Sequence, residues 1–582
     1  MLSTISAPLF AARPTAARLL PENTVMMFSV GNVKTLAEKF MNTNLGRMLH
    51  DPQLKPLFEQ LYGSFGEWVE SLKPVTGLSL SDIVALPQGE ITYAFVATEE
   101  HPLACVFIFD AGNQIAKART LVEFFKQGLN NSDRKKREET IGEVKCTIYE
   151  QSDGNENYTL VFFEKDSAIA LCQTIEVAKQ VLDLWNVQKG TRSLAENAAF
   201  AAIANRCRGT KDEEPQFVWF VDPVGIMKGV ARDNLEMQLA LAALPALGVD
   251  GLSGVGGSVI FDSEQYDSIV HLHVSLASPR TGAIKAVAFE PGSTKPEHWT
   301  PADVASYATV HWNFEKSLST VEKIYDSFHA EGDFAKNFDE FNKESGVDLQ
   351  KELLPALDGR VTYINWIEKT GAGPNSQYLV AFKLKDKEKA VETIQKLLEN
   401  MKKKDEQGNI KTNSFAGNSY YYSDPPAPSV PEGAEPPPMQ KTCVGILEDY
   451  LLISSHEGVY RQSLSTAAGE AKSLGDELDY KLVAIKVDRI AGENKPAMFF
   501  FQRPEETFRY LYELATSDSA KAGIRQEAEG NPMWGSINSA LEKNPLPPFS
   551  VLQKYLSPAG SVVIDDETGI HFMHFTLKRK GE

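Results

Sequence analysis

Residues Gly77 to Phe95 read GLSLSDIVALPQGEITYAF, and residues Gly346 to Trp366 read GVDLQKELLPALDGRVTYINW. In each, a short amphipathic run reaches a glycine (Gly89, Gly359), two residues follow, and a Thr-Tyr pair (Thr92-Tyr93, Thr362-Tyr363) opens a strand. Self-similarity at a step of roughly 270 residues is the mark of an internal repeat. Working outward, the same order of elements recurs on both sides. Asn32 and Asn313 each stand before a helical stripe: Val33, Leu36, Ala37, Phe40 and Met41 in one, and Leu318, Val321, Ile324, Tyr325 and Phe328 in the other. PQFVWFVDP (Pro215 to Pro223) answers PAMFFFQRP (Pro496 to Pro504). Gly257-Ser258-Val259-Ile260 answers Gly560-Ser561-Val562-Val563, which sets His271 opposite His574.

The predicted fold is therefore α+β: two homologous lobes from internal duplication, each a largely antiparallel sheet packed by amphipathic helices. Tight turns at Glu164-Lys165-Asp166 and Glu448-Asp449 require antiparallel neighbours, because parallel strands need a long crossover. The expected division is a leader or degenerate signal peptide at 1–18, a first lobe at 19–276, a linker at 277–300 and a second lobe at 301–582. The second lobe includes a proline-rich loop at 424–438. Leu54 to Leu72 reads as a further helix carrying Leu57, Leu61, Phe65 and Trp68, and the charged run NNSDRKKREE (130–139) reads as a solvated turn.

Of 582 residues, 42% are hydrophobic and 24% charged, an ordinary globular balance. A net charge of -19 argues against a nucleic-acid partner, since phosphate neutralisation needs a basic face. No run of apolar residues is long enough for a transmembrane span; Leu239 to Val249 comes nearest and contains Pro245. The leader lacks a basic n-region and a strong apolar core, and Ala16-Ala17 is a tolerable cleavage context. Five cysteines without CxxC spacing read as free thiols, with a Cys105–Cys146 bridge as the alternative.

Residue patterns with chemical potential each have a plainer explanation. Gly251, Gly254, Gly256 and Gly257 lack the Lys-Ser/Thr ending of a phosphate loop and read as a turn. His271 and His273 share a strand face, where an HxH pair can hold a metal, but no local third ligand completes the set. His571 and His574 are expected on opposite faces. Glu164, Asp166, Glu448, Asp449, Asp565 and Asp566 lie at turns where water solvates them. No GxSxG or HExxH occurs. Trp219-Phe220 and Phe499-Phe500-Phe501 alternate across strands and read as core on two sides.

The opening LLPENTVMMFSVGNVKTLAEKFMNTNLGRMLHDPQLKPLF resembles a family of large bacterial proteins known as a domain of unknown function, on Leu20, Pro21, Thr24, Leu45, Gly46, Arg47, Asp51 and Pro52. The second half lacks the LGR-x-L-x-DP segment. The resemblance implies export to the periplasm or cell envelope, against a cytoplasmic alternative, and carries over no site residues. The expectation is a non-enzymatic binding or scaffold protein for an unknown protein or small molecule, using the cleft between the lobes. No catalytic, cofactor-binding or metal residue is assigned. The alternatives are a hydrolase whose nucleophile meets His271, His311 or His456, and a carrier with an apolar cavity lined by Phe217, Trp219 and Phe499.

Overall fold

The computed structural model describes residues 13–60, 73, 77–99, 101–130, 134–153, 156–188, 190–209, 213–370, 373–424, 441–492 and 494–579. Leu61, Phe65, Trp68 and the proline-rich loop beyond Asp424 lie outside them.

The described strands of the first half are β1 (Thr24–Val30), β2 (Ile91–Val96), β3 (Ala104–Asp110), β4 (Lys135–Ile141), β5 (Val144–Asp153), β6 (Glu156–Lys165), β7 (Ala168–Cys172), β8 (Phe217–Val221), β9 (Leu252–Phe261) and β10 (Tyr266–Leu276). Those of the second are β11 (Ser306–His311), β12 (Leu357–Thr370), β13 (Gly373–Leu384), β14 (Ile410–Phe415), β15 (Asn418–Ser423), β16 (Cys443–Leu447), β17 (Tyr450–Ser454), β18 (Met498–Gln502), β19 (Ala559–Asp566) and β20 (Gly569–Leu577). All pair antiparallel in one sheet.

In the first half the order runs β4-β5-β6-β7-β3-β2-β1-β8-β9-β10. In the second it runs β14-β15-β16-β17-β13-β12-β11-β18-β19-β20. The two series join where β10 pairs β20.

The opening motifs lead into β2 and β12, each of which lies between two neighbours inside its series. Asn32 Oδ1 accepts from the Thr35 amide and Asn313 Oδ1 from the Lys316 amide, each at 2.9 Å, which starts the helices Val33–Asn42 and Phe314–Phe328. Their apolar stripes are less covered than the periodicity predicts. Neither helix has a buried residue, and Met41, Val321 and Phe328 are exposed. Glu90 and Arg360, the residues after the two anchor glycines, each enter a largely covered ion pair, of opposite polarity. Arg13 meets Glu90 at 2.9 Å, and Arg360 meets Glu297 at 2.9 Å. Glu90 also accepts from the Ala16 amide at 2.8 Å and the Ser29 hydroxyl at 3.0 Å.

These pairs tie the segments at two of the expected boundaries to their neighbouring halves. Residues read as leader are joined to the first half from Arg13 onward: Ala16 and Leu19 are fully buried in the helix Ala16–Leu19, so the Ala16-Ala17 bond lies inside packed structure. Likewise Glu297, Trp299 and Thr300 of the expected linker are buried against the second half. Ordering such short segments is offset by the core area and hydrogen bonds they add, a gain that local composition does not encode.

Two further expectations change. The run KKREE forms part of β4, an edge strand, where charge discourages pairing with another chain. Of the four glycines read as a turn, Gly254, Gly256 and Gly257 lie inside β9. A Cβ on Gly257 would stand 2.2 Å from the His271 carbonyl oxygen, so the strand runs too close to its neighbour for any side chain there. The five cysteines are free, four of them buried.

Candidate functional site

The join between β10 and β20 brings together residues that lie 300 positions apart. Along β10, Ile269, His271 and His273 face the core, and along β20 His571, Met573 and Phe575 do so. The ladder sets Ile269 against Phe575, His271 against Met573 and His273 against His571. His271 Nδ1 lies 3.2 Å from His571 Nε2, with ring centroids 5.3 Å apart, and the His273 ring centroid lies 5.7 Å from that of His571. The three are 6%, 0% and 5% exposed for His271, His273 and His571. Apart from the His271–His571 contact, His271 Nε2 and His571 Nδ1 have no hydrogen-bond partner, and His273 has only the nearby Thr568 backbone, too poorly aligned for a regular hydrogen bond. Unpartnered buried polar atoms in this number are unusual and call for an explanation.

Burial holds all three imidazoles neutral. It pushes His271 down to about 4, with the Arg206 guanidinium adding to the effect. His571 falls to about 3 through burial and then through His271 and Arg206, and His273 is lowered mainly by burial. Arg206 is itself paired to Asp566 at 2.7 Å, and that carboxylate acts on His273 and His571 in the opposite sense.

His271 and Met573 also line a cavity of about 490 Å³ over the seam. Tyr266, Arg208, Glu213 and Glu264 contribute from the first half, and Arg489 and Ile490 from the second. Burial pushes the Tyr266 phenol up to about 12. The halves thus meet strand to strand, and the place between them is a cavity over a shared sheet. A larger cavity of about 890 Å³ lies beside residues 292–298 and the helix Leu478–Ala491, but its buried Tyr480 hydroxyl already donates to the Thr294 carbonyl at 3.0 Å.

The other residues singled out in the sequence do not converge. Glu164 pairs with Arg119, Asp166 accepts from the Trp185 indole, and Glu448 meets His298, all separately. Asp565 pairs with Arg280. His311 contacts the Ser293 carbonyl, and His456 caps the helix Glu457–Ala467. Ser561 and His574 are hydrogen-bonded at 2.9 Å as cross-strand partners, the nearest arrangement to a nucleophile with its base. Phe499 is fully buried in the core, whereas Phe217 and Trp219 are only half-buried on the other face of the sheet. One shared apolar cavity for the three is ruled out by strand alternation. Among the described residues no group of three or more His, Cys, Asp or Glu is arranged to hold a metal ion.

One sequence match is out by a residue. Phe220 pairs with Gly256 and Phe501 with Gly560. By that register Ser258 corresponds to Val562, and His271 corresponds to Met573, not to His574. A slip of one position exchanges the faces of a strand, which is why matching the Gly-Ser-Val string put His271 and His574 together. His571 was missed as the partner of His271 because only the β10–β20 pairing makes them neighbours.

Residues 300–528 match the model of a family described as a protein of unknown function (DUF3352). The resemblance read from the sequence rested on residues 20–52, so the match falls on the other half. No curated protein and no solved structure matches the chain.

Proposed function

We propose, with a family of unknown function as the starting point, that this chain is a non-catalytic binding protein built from two copies of one α+β unit. Its ligand is a small molecule held in the cavity over the β10–β20 seam. The observation that carries the reading is that this cavity is lined from both halves and has buried, under-bonded His271 in its wall. The duplication is supported by the strand order, in which each strand of the first half has a second-half strand with the same partners. Ligand pockets are commonly formed where two units meet.

In a thermal-shift screen of small metabolites, hits are expected to raise the melting temperature of the wild type and to lose that effect in Met573→Trp, which fills the cavity. Hits that Met573→Trp leaves intact would remove the site from the seam. Hydrolysis of p-nitrophenyl esters that Ser561→Ala abolishes would overturn the non-catalytic reading.

We also propose that the protein works at the cell envelope. The helix Leu235–Leu247 has one charged residue, Glu236, yet Leu235 and Leu239 are 71% and 65% exposed. A helix apolar on nearly every side is stable when surrounded by other apolar material. The reading is association of this exposed apolar helix with a membrane surface; no described helix is long and apolar enough to cross one. Flotation with phosphatidylcholine vesicles is expected for the wild type and lost in the Leu235→Glu, Leu239→Glu double variant. Wild-type protein that stays at the bottom of the gradient would refute it.

A further inference from the structure

We propose that the seam cavity takes a small organic or inorganic anion, a carboxylate or a phosphate, and binds it together with a proton that lodges on the His271–His571 pair. The inference rests on the cavity being the binding place and adds the chemistry of what enters it.

Consider what His271 lacks. Its Nδ1 is engaged by His571 at 3.2 Å, while Nε2 is buried and has no partner. In the neutral state each ring carries one proton, and one of these two lies in the bond between the rings, one ring donating and the other accepting. One further proton would give an imidazolium, which burial opposes unless a negative charge comes close.

The charges facing the pair do not supply that negative charge at His271. From the helix Ala198–Arg206 comes Arg206, whose guanidinium works against protonation. From the end of β19 comes Asp566, which is tied to Arg206 and acts on His273 and His571. From β10 and β20 come His273 and Met573, neither of them anionic. At the cavity wall stand Tyr266, with its phenol kept protonated, and Arg208 and Arg489 as exposed cations. Glu264 is exposed and Glu213 half-exposed, at the mouth where water and salt screen them.

The floor of the cavity is therefore short of one negative charge. An anion against His271 removes the obstacle to protonation, and Arg208 and Arg489 can hold its outer oxygens. The balance is simple: anion and one solvent proton enter, and the complex holds an imidazolium against the bound carboxylate or phosphate. No bond within the ligand breaks.

Linkage makes this measurable. If the ligand-free pair stays neutral and the occupied pair is charged, affinity rises about tenfold for each unit that the pH falls between roughly 7 and 5. Isothermal titration with formate and with dimethyl phosphate, anions that keep one protonation state across this range, at pH 7, 6 and 5 and in buffers of different ionisation heat, reads both the slope and the proton. Uptake of roughly one proton per anion is expected. His271→Gln and, separately, His571→Gln should flatten the slope while circular dichroism reports the fold. Anion binding without pH dependence, or a slope surviving in both variants, would overturn the proposal. Uncharged or cationic hits blocked by Met573→Trp, with no binding of either anion, would sink this inference and leave the cavity reading standing; no ligand of any kind would sink both.

Discussion

Removing the Arg360 side chain is expected to destabilise the folded chain by about 3–5 kcal/mol, the range seen when one partner of a buried ion pair is deleted. Glu297 is the reason. Its side chain is 4% exposed, and Arg360, 11% exposed, is its sole cationic partner among the described ion pairs. Glu297 also accepts from the Thr362 hydroxyl at 2.7 Å and the Tyr307 hydroxyl at 3.2 Å. Even with the Tyr450 hydroxyl also beside it, neutral hydroxyl donors cannot compensate a full buried charge. Urea melts of Arg360→Met, Glu297→Gln and the double variant test this. The double variant is expected to lose less than the sum of the singles, because it leaves no unpaired charge behind. Additive losses would mean that the pair does not act as a pair. The Arg119–Glu164 contact is the control: both side chains are well exposed, and Arg119→Ala should leave the melt where it is.

Acid should weaken the seam well before it titrates most carboxylates. His271 has its pKa depressed from 6.5 to about 4 in the folded chain. Above pH 6.5 the imidazole is neutral in folded and unfolded chains alike, and the stability is complete. As the pH falls below 6.5 the unfolded chain takes a proton that the folded chain refuses, so stability drops until folded His271 titrates near 4. The loss from His271 alone is on the order of 3 kcal/mol. His571, depressed to about 3, and His273 act in the same direction. Glu90 and Asp267, raised by burial, work the other way as the pH approaches their own range. Asp51, lowered to about 2 through its bond to Lys554, loses its contribution only at lower pH. Melting temperature measured from pH 7.5 to 4 should fall continuously in the wild type. The slope should shrink in the His273→Leu, His571→Leu double variant, and an unchanged slope there would place the acid sensitivity elsewhere.

The local features of this fold were legible because each is written in a few adjacent residues. Asn32 and Asn313 cap helices as their positions imply. Glu448 takes a left-handed backbone at the hairpin tip between β16 and β17, and Asp166 and Ser167 do so between β6 and β7. The strands at Phe217–Val221 and Met498–Gln502 fall where their aromatic alternation puts them. Burial of the amphipathic helices was less legible. Periodicity fixes which side chains share a face, but not how much of that face a neighbour covers, as Met41 and Phe328 show.

By itself the sequence determined an α+β chain of antiparallel strands, punctuated at its turns, with two stretches of the same pattern. Hydrogen bonding within hairpins and alternation along strands are short-range, so the residues that set them are neighbours in the chain. Only the tertiary structure decided that β10 runs beside β20, in the register that sets His273 against His571 and brings His271 to the wall of a cavity. Register between distant strands is fixed by which faces bury together, and a shift of one residue would have turned the histidines outward.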